Sequence, residues 1–168
     1  IDRPIRPLFP HAFRNETQVL ATVISYDKEN DPEVLSLIAS SAAISISGLP
    51  FMGPVAASKV GYINNEFVLN PTKEDLQESS LELIVAGTKD AVLMVESEAS
   101  GLTEDQMLSA VKFGHEGFAP VIKMIEELKK DVNKEQVVVE DKDFTDLKNK
   151  VTELATSKLE EAFSEKDK

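Results

Sequence analysis

Apolar and polar positions divide this chain into segments before any single residue matters. Thr17 to Tyr26, T-Q-V-L-A-T-V-I-S-Y, is β-branched and largely apolar and stops at D-K-E-N-D-P, which predicts a buried strand followed by a turn. Asp31 and Pro32 then supply an N-cap and a first-turn proline for a helix over 33–47. Within it Val34, Leu37, Ile38, Ser41, Ala42 and Ser45 recur at helical spacing, and Gly48 marks its end. The small residues Ala39 to Ala43 let another element approach it closely.

Two hairpins follow. In K-V-G-Y-I-N-N-E-F-V-L-N-P, two short β-rich runs flank Asn64 and Asn65, residues that tolerate the left-handed backbone of a tight turn. A polar connection, T-K-E-D-L-Q-E-S, leads to L-E-L-I-V-A-G-T-K-D-A-V-L-M-V-E-S-E-A, two strands separated by G-T-K-D. Thr103 is placed to cap a long amphipathic helix with Glu104 and Asp105 at its positive end. Its apolar stripe runs through Met107, Val111, Phe118, Val121, Ile122, Ile125 and Leu128, and Gly114, Gly117 and Pro120 are candidate kink positions. Residues 133–143 turn polar and read as a linker. From 144 to 168 helical periodicity returns through Phe144, Leu147, Val151, Leu154, Leu159 and Phe163, a stripe that one lone helix cannot bury. The expected class is therefore α/β (α+β), a mixed sheet packed by helices over about 1–132, with the start of a helical domain behind a linker.

Composition narrows the chemistry. The 168 residues are 42% hydrophobic and 29% charged, enough for one medium domain with an appendage. With no Cys there is no disulfide framework or thiolate metal site, and two isolated histidines, His11 and His115, argue against a transition-metal centre. There is no apolar run long enough to span a bilayer and no signal-peptide pattern at the start, so a cytoplasmic address is expected, with no membrane partner. Beginning at Ile1 without Met, the chain reads as a fragment. A net charge of -12 makes most of the surface repel a polyanion, so any nucleic-acid contact must be local.

One place is suited to such a contact. All three arginines, Arg3, Arg6 and Arg14, lie in the opening I-D-R-P-I-R-P-L-F-P-H-A-F-R, and every later cation except histidine is a lysine. Guanidinium offers a planar fork of donors that grips phosphate or carboxylate with parallel hydrogen bonds. Pro4, Pro7 and Pro10 stiffen the segment that carries it. Two readings stand side by side: Arg3 and Arg6 as a phosphodiester contact, or as surface arginines bonded to nearby carboxylates. Elsewhere the chemistry is thin. Neither histidine has a neighbouring nucleophile signature, the seven glycines form no phosphate-cradling motif, and Glu74, Asp75, Glu78, Glu82, Glu96 and Glu98 read as a solvated acidic face rather than a Mg²⁺ cluster.

The opening segment, together with N-D-P-E-V-L, S-G-L-P-F-M-G-P, K-V-G-Y-I-N-N-E-F-V-L-N-P-T, L-I-V-A-G-T-K-D-A-V-L-M-V-E-S-E-A and F-G-H-E, resembles the first ribonuclease PH-like core of the bacterial polynucleotide phosphorylase family, in the same order through about Val132. The segment beyond Asp143 is similar to the opening of that family's all-helical domain. The resemblance implies phosphorolysis of RNA from its 3′ end to nucleoside diphosphates, reversible as polymerisation, with inorganic phosphate as co-substrate and Mg²⁺ bound by a second core. It also implies a ring-shaped homotrimer, RNA as partner alongside other components of RNA degradation, and the first strands of the core, KH and oligonucleotide-binding modules outside this chain. Arg3 and Arg6, on positions matching D-R-P-I-R-P, would hold RNA phosphates or the attacking phosphate.

The same resemblance implies that this core is catalytically silent, with no catalytic and no metal-binding residue of its own. Where the family's active core has a phosphate-binding serine loop, this chain has Asp31, Pro32 and Glu33. Where that core carries an Asp and then an Asp-x-Lys before its V-A-G-T motif, this chain has Leu76, then Glu82 and Ile84. The alternative from another class is an assembly module whose arginines pair with acidic groups of a neighbouring subunit.

Overall fold

A computed structural model describes residues 1–140 and 143–165 of the chain. Asp141 and Lys142 of the expected linker, and residues 166–168 of the expected helical domain, lie outside the described residues. The helices are α1 (Asp2–Ile5), α2 (Pro32–Ile46), α3 (Lys73–Glu78), α4 (Glu104–Val132) and α5 (Thr145–Ser164). The strands are β1 (Ala56–Ile63), β2 (Glu66–Leu69), β3 (Leu81–Gly87) and β4 (Val92–Ala99), in one antiparallel sheet of order β2-β1-β3-β4. The α/β class stands and both expected hairpins form, but among the described residues the sheet is antiparallel rather than mixed. Each hairpin reverses the chain, and the short connection through α3 brings β3 in along the direction of β2 on the other side of β1. Asn64 and Asn65 take φ of 51° and 65°, the left-handed pair that turns β1 into β2.

Strand alternation sends two sets of side chains to opposite faces. On one face Val60, Leu81, Leu83 and Val85 pack with Ala110, Phe118 and Ile122 of α4. On the other, Ala57 and Ala86 join Leu37 and Ile44 of α2, Ile5 of α1 and Phe51. Helix α4 lies so close to the sheet that Ser58 Oγ donates to the Gly114 carbonyl at 2.8 Å, and a Cβ at Gly114 would stand 2.9 Å from Val60 Cγ2. Gly114 therefore serves close approach, and α4 continues as a helix through Pro120 to Val132. Its start is a reciprocal capping box: Gln106 N donates to Thr103 Oγ1 and Thr103 N to Gln106 Oε1.

Two other expectations change. Residues 17–26 form no strand and are exposed; Leu20 and Ile24 keep 81% and 95% of their surface. Strand-like composition needs a ladder partner, and among the described residues none pairs with this stretch. It runs instead along α2, enclosing with Leu35, Ala39, Ala43 and Ile44 a groove of about 650 Å³. The polar connection after β2 contains α3, nucleated by a capping box in which Asp75 N donates to Thr72 Oγ1 and Thr72 N to Asp75 Oδ2. The first described part of the linker is tied down, because Val137 N donates to Gly48 O at 2.8 Å and Gln136 Nε2 to Leu49 O at 3.1 Å. Helix α5 forms as its periodicity predicts, and none of its residues is buried.

Candidate nucleic-acid interface

The opening segment folds into one helical turn, α1, followed by a 3₁₀ turn over Arg6–Leu8. Pro4 and Ile5 are buried, Met52 N donates to Leu8 O at 2.9 Å, and the Phe9 ring packs on Phe51 at 5.4 Å. Helical turns with apolar anchors, together with the prolines, give the segment its rigidity. Arg3 and Arg6 project from it with side chains 76% and 77% exposed.

Each arginine already faces a carboxylate. Arg6 donates from Nε and Nη2 to both oxygens of Asp2, with contacts of 2.7–3.1 Å, one helical turn away. That hydrogen bond holds the Asp2 carboxyl below its usual range. Arg3 Nη1 lies 3.7 Å from Glu96 Oε2 on β4. Two clefts adjoin the segment. One, of about 610 Å³, has Arg3, Glu33 and Glu96 around a floor of Leu37, Ala57, Ile84 and Met94. The other, of about 480 Å³, is lined by Arg6, Phe9, Phe13, Asn15 and Val19, and Asp2 lines both. Arg14 and His11 are exposed on the loop that follows. His115 is a packed residue: Nε2 lies 3.0 Å from Thr88 O and its ring meets Phe118 edge-on.

Beside the first cleft lies a feature that reading the chain alone missed. Lys59 of β1, its side chain 5% exposed, is the one buried charged residue among the described residues. Its ammonium lies 2.7 Å from Glu82 Oε1, 3.1 Å from Asp31 Oδ2 and 3.2 Å from Glu33 Oε2. Burial alone would lower the Lys59 pKa, and the hydrogen bonds to Glu82, Asp31 and Glu33 outweigh it, so the net shift is upward. Asp31 also accepts from Lys73 at 3.1 Å; burial raises its pKa, but the two lysines together outweigh this and leave it below the ordinary carboxylate range. The signal available in the sequence was a lone lysine inside A-A-S-K-V-G-Y, where alternation puts it on an inward face.

By the resemblance, Asp31 and Glu33 match the phosphate-binding serine loop of an active core, and Glu82 matches the Asp of its Asp-x-Lys. Here all three converge on one internal cation. Among the described residues no group of three or more His, Cys, Asp or Glu is placed to hold a metal ion, and an ammonium already fills the space between these carboxylates. They do not fit Mg²⁺.

Residues 53–117 match the family described as the 3′ exoribonuclease family, domain 2. A crystal structure of rice (Oryza sativa) Rrp46 shares the fold, with a TM-score of 0.51 at 15% identity over 64% of this chain and 50% of that one. Residues 53–117, which span the sheet and the first half of α4, are thus similar to a domain of the 3′ exoribonuclease family, on a fold shared with Rrp46. Over all of its 168 residues the chain is 62% identical to a polyribonucleotide nucleotidyltransferase of Pelagibacter ubique and 56% identical to that of Parvibaculum lavamentivorans. It spans about a quarter of those relatives, 24% and 23% of their lengths. No helix among the described residues is long and apolar enough to cross a membrane.

Proposed function

We propose that this chain is the scaffolding and RNA-contacting part of a cytoplasmic 3′-to-5′ exoribonuclease that degrades RNA by phosphorolysis to nucleoside diphosphates and can run in reverse as a polymerase. Its core is catalytically silent. The observation that carries this is the Lys59 cluster, in which the carboxylates at the positions matching a phosphate-binding loop close on a buried ammonium and leave neither an anion cradle nor a metal site. Mg²⁺ and inorganic phosphate then act in a second core of a homotrimeric full-length enzyme. This chain supplies Arg3 and Arg6 to the RNA path, where their forks contact phosphates without base selectivity.

Exposure supports that role, since both guanidinium groups reach solvent from a segment anchored by Pro4 and Ile5. In the full-length protein, Arg3→Ala and Arg6→Ala are expected to weaken RNA binding and lower phosphorolysis. Each lost phosphate contact reduces the slope of log K against log salt by about 0.7. Unchanged binding in both variants would remove the RNA role. The assembly reading draws on the exposed Val92, Leu93 and Val95 of edge strand β4. It predicts that the same substitutions alter the oligomeric state and leave the salt slope of the assembled enzyme unchanged.

A further inference from the structure

The Asp2–Arg6 pair uses only one edge of the guanidinium. Nε donates to Oδ1 and Oδ2 at 3.0 and 3.1 Å, and Nη2 donates to Oδ2 at 2.7 Å. Of the five N–H donors, two are engaged, which leaves the terminal edge formed by Nη1 and the second Nη2 hydrogen. That edge has the geometry for a second two-point contact with a phosphate. The backbone is fixed by the same turn, because Arg6 N–H donates to Asp2 O and the intervening Pro4 and Ile5 are buried.

We propose that Asp2 is a positioning residue: it clamps the inner edge of Arg6 so that the outer edge is presented, pre-oriented, to an RNA phosphate at the cleft lined by Arg6, Phe9 and Phe13. The inference rests on the RNA-contact reading given above. A free arginine on an exposed segment samples many rotamers and loses them on binding; a clamped one has already lost them. The clamp also partly cancels the local positive charge. Asp2 therefore has two opposing effects, and their balance is what an experiment reads.

The test uses the full-length protein and a single-stranded oligoadenylate, without phosphate or Mg²⁺, titrated at several salt concentrations. Asp2→Ala is expected to weaken binding roughly fivefold, about 1 kcal/mol at 1.4 kcal/mol per tenfold. Asp2→Asn, which keeps one acceptor oxygen, falls between wild type and Asp2→Ala. Adding Asp2→Ala to Arg6→Ala produces no further loss, since nothing is left to position. If Asp2→Ala binds as well as wild type or tighter while Arg6→Ala is weaker, the positioning role is wrong and the RNA contact survives. An equal loss in both backgrounds marks a folding effect and also overturns it. If Arg6→Ala binds like wild type, the RNA reading itself fails.

Discussion

Lys59 Nζ sits 2.7 Å from Glu82 Oε1, a diagonal contact across strands β1 and β3, where Lys59 is directly opposite Ile84. Strand geometry thus delivers a cation and a carboxylate to the same face, and the N-terminal end of α2 adds Asp31 and Glu33. Removing the lysine leaves three carboxylates together with Lys73 as the remaining counter-charge, beside an apolar floor. Lys59→Met is expected to destabilise the chain by about 3 kcal/mol, at the low end for a broken buried ion pair because Glu33 and Glu82 retain water. Urea unfolding of the two proteins measures this, and a difference under about 1 kcal/mol would show the cluster to be no more than a surface network.

The same cluster sets a pH window. Asp31 has a folded pKa below its ordinary 3.8, so its contribution is complete above that value and is lost as pH falls through the lower, folded one. Lys59 is shifted above its ordinary 10.5, so its contribution is complete below that value and is lost as pH rises through the higher, folded one. The stability difference between wild type and Asp31→Asn should then be level through the neutral range and shrink below about pH 4. Thermal unfolding from pH 3 to 8 reads it directly; a difference that stays constant in acid would mean that Asp31 titrates as a free carboxylate.

Ile24 offers the opposite case. Its composition marks it as core, yet it is 95% exposed and lies in a stretch without secondary structure. Ile24→Ser in this chain should change stability by no more than about 0.5 kcal/mol, the range for surface positions. A loss near 2 kcal/mol, the size of a buried aliphatic side chain, would mean that the segment packs in solution.

These contrasts show what the chain reveals unaided. Helix α2, both hairpins and α4 were legible because their signals are local: Pro32 after Asp31, Asn64-Asn65 between β-rich runs, and Thr103 before a long apolar period. The capping box of α3 was equally local, but T-K-E-D reads as a polar loop unless Thr72 is tested against Asp75. Residues 17–26 misled because a strand is defined by its partner, which propensity does not supply. The Lys59 cluster was illegible for a related reason. It joins positions 31, 33, 59 and 82: the register that sets Lys59 opposite Ile84 brings in Glu82, and the placement of the start of α2 brings in Asp31 and Glu33. Arg3 and Arg6 could be singled out by type, whereas their partners Glu96 and Asp2 are set by the fold.

Gly114 and Gly117 stand one turn apart on α4 and differ in what surrounds them. A methyl group at Gly114 would meet Val60 Cγ2 at 2.9 Å, Val85 Cγ2 at 3.0 Å and Ser58 Oγ at 3.1 Å, all on the buried face of the sheet. These branched side chains are fully enclosed, so the helix must move outward and the Ser58 hydroxyl loses its hold on the Gly114 carbonyl. Gly114→Ala should cost about 1–3 kcal/mol, the range for overpacking, after the gain in helix propensity is absorbed. At Gly117 the three nearest atoms to the methyl would all belong to the flexible side chain of Leu69, which is partly exposed on β2. There the propensity gain of about 1 kcal/mol survives, and Gly117→Ala should be neutral or stabilising. Equal effects from the two substitutions in denaturant unfolding would mean that α4 does not sit on the sheet as closely as the Ser58–Gly114 hydrogen bond requires.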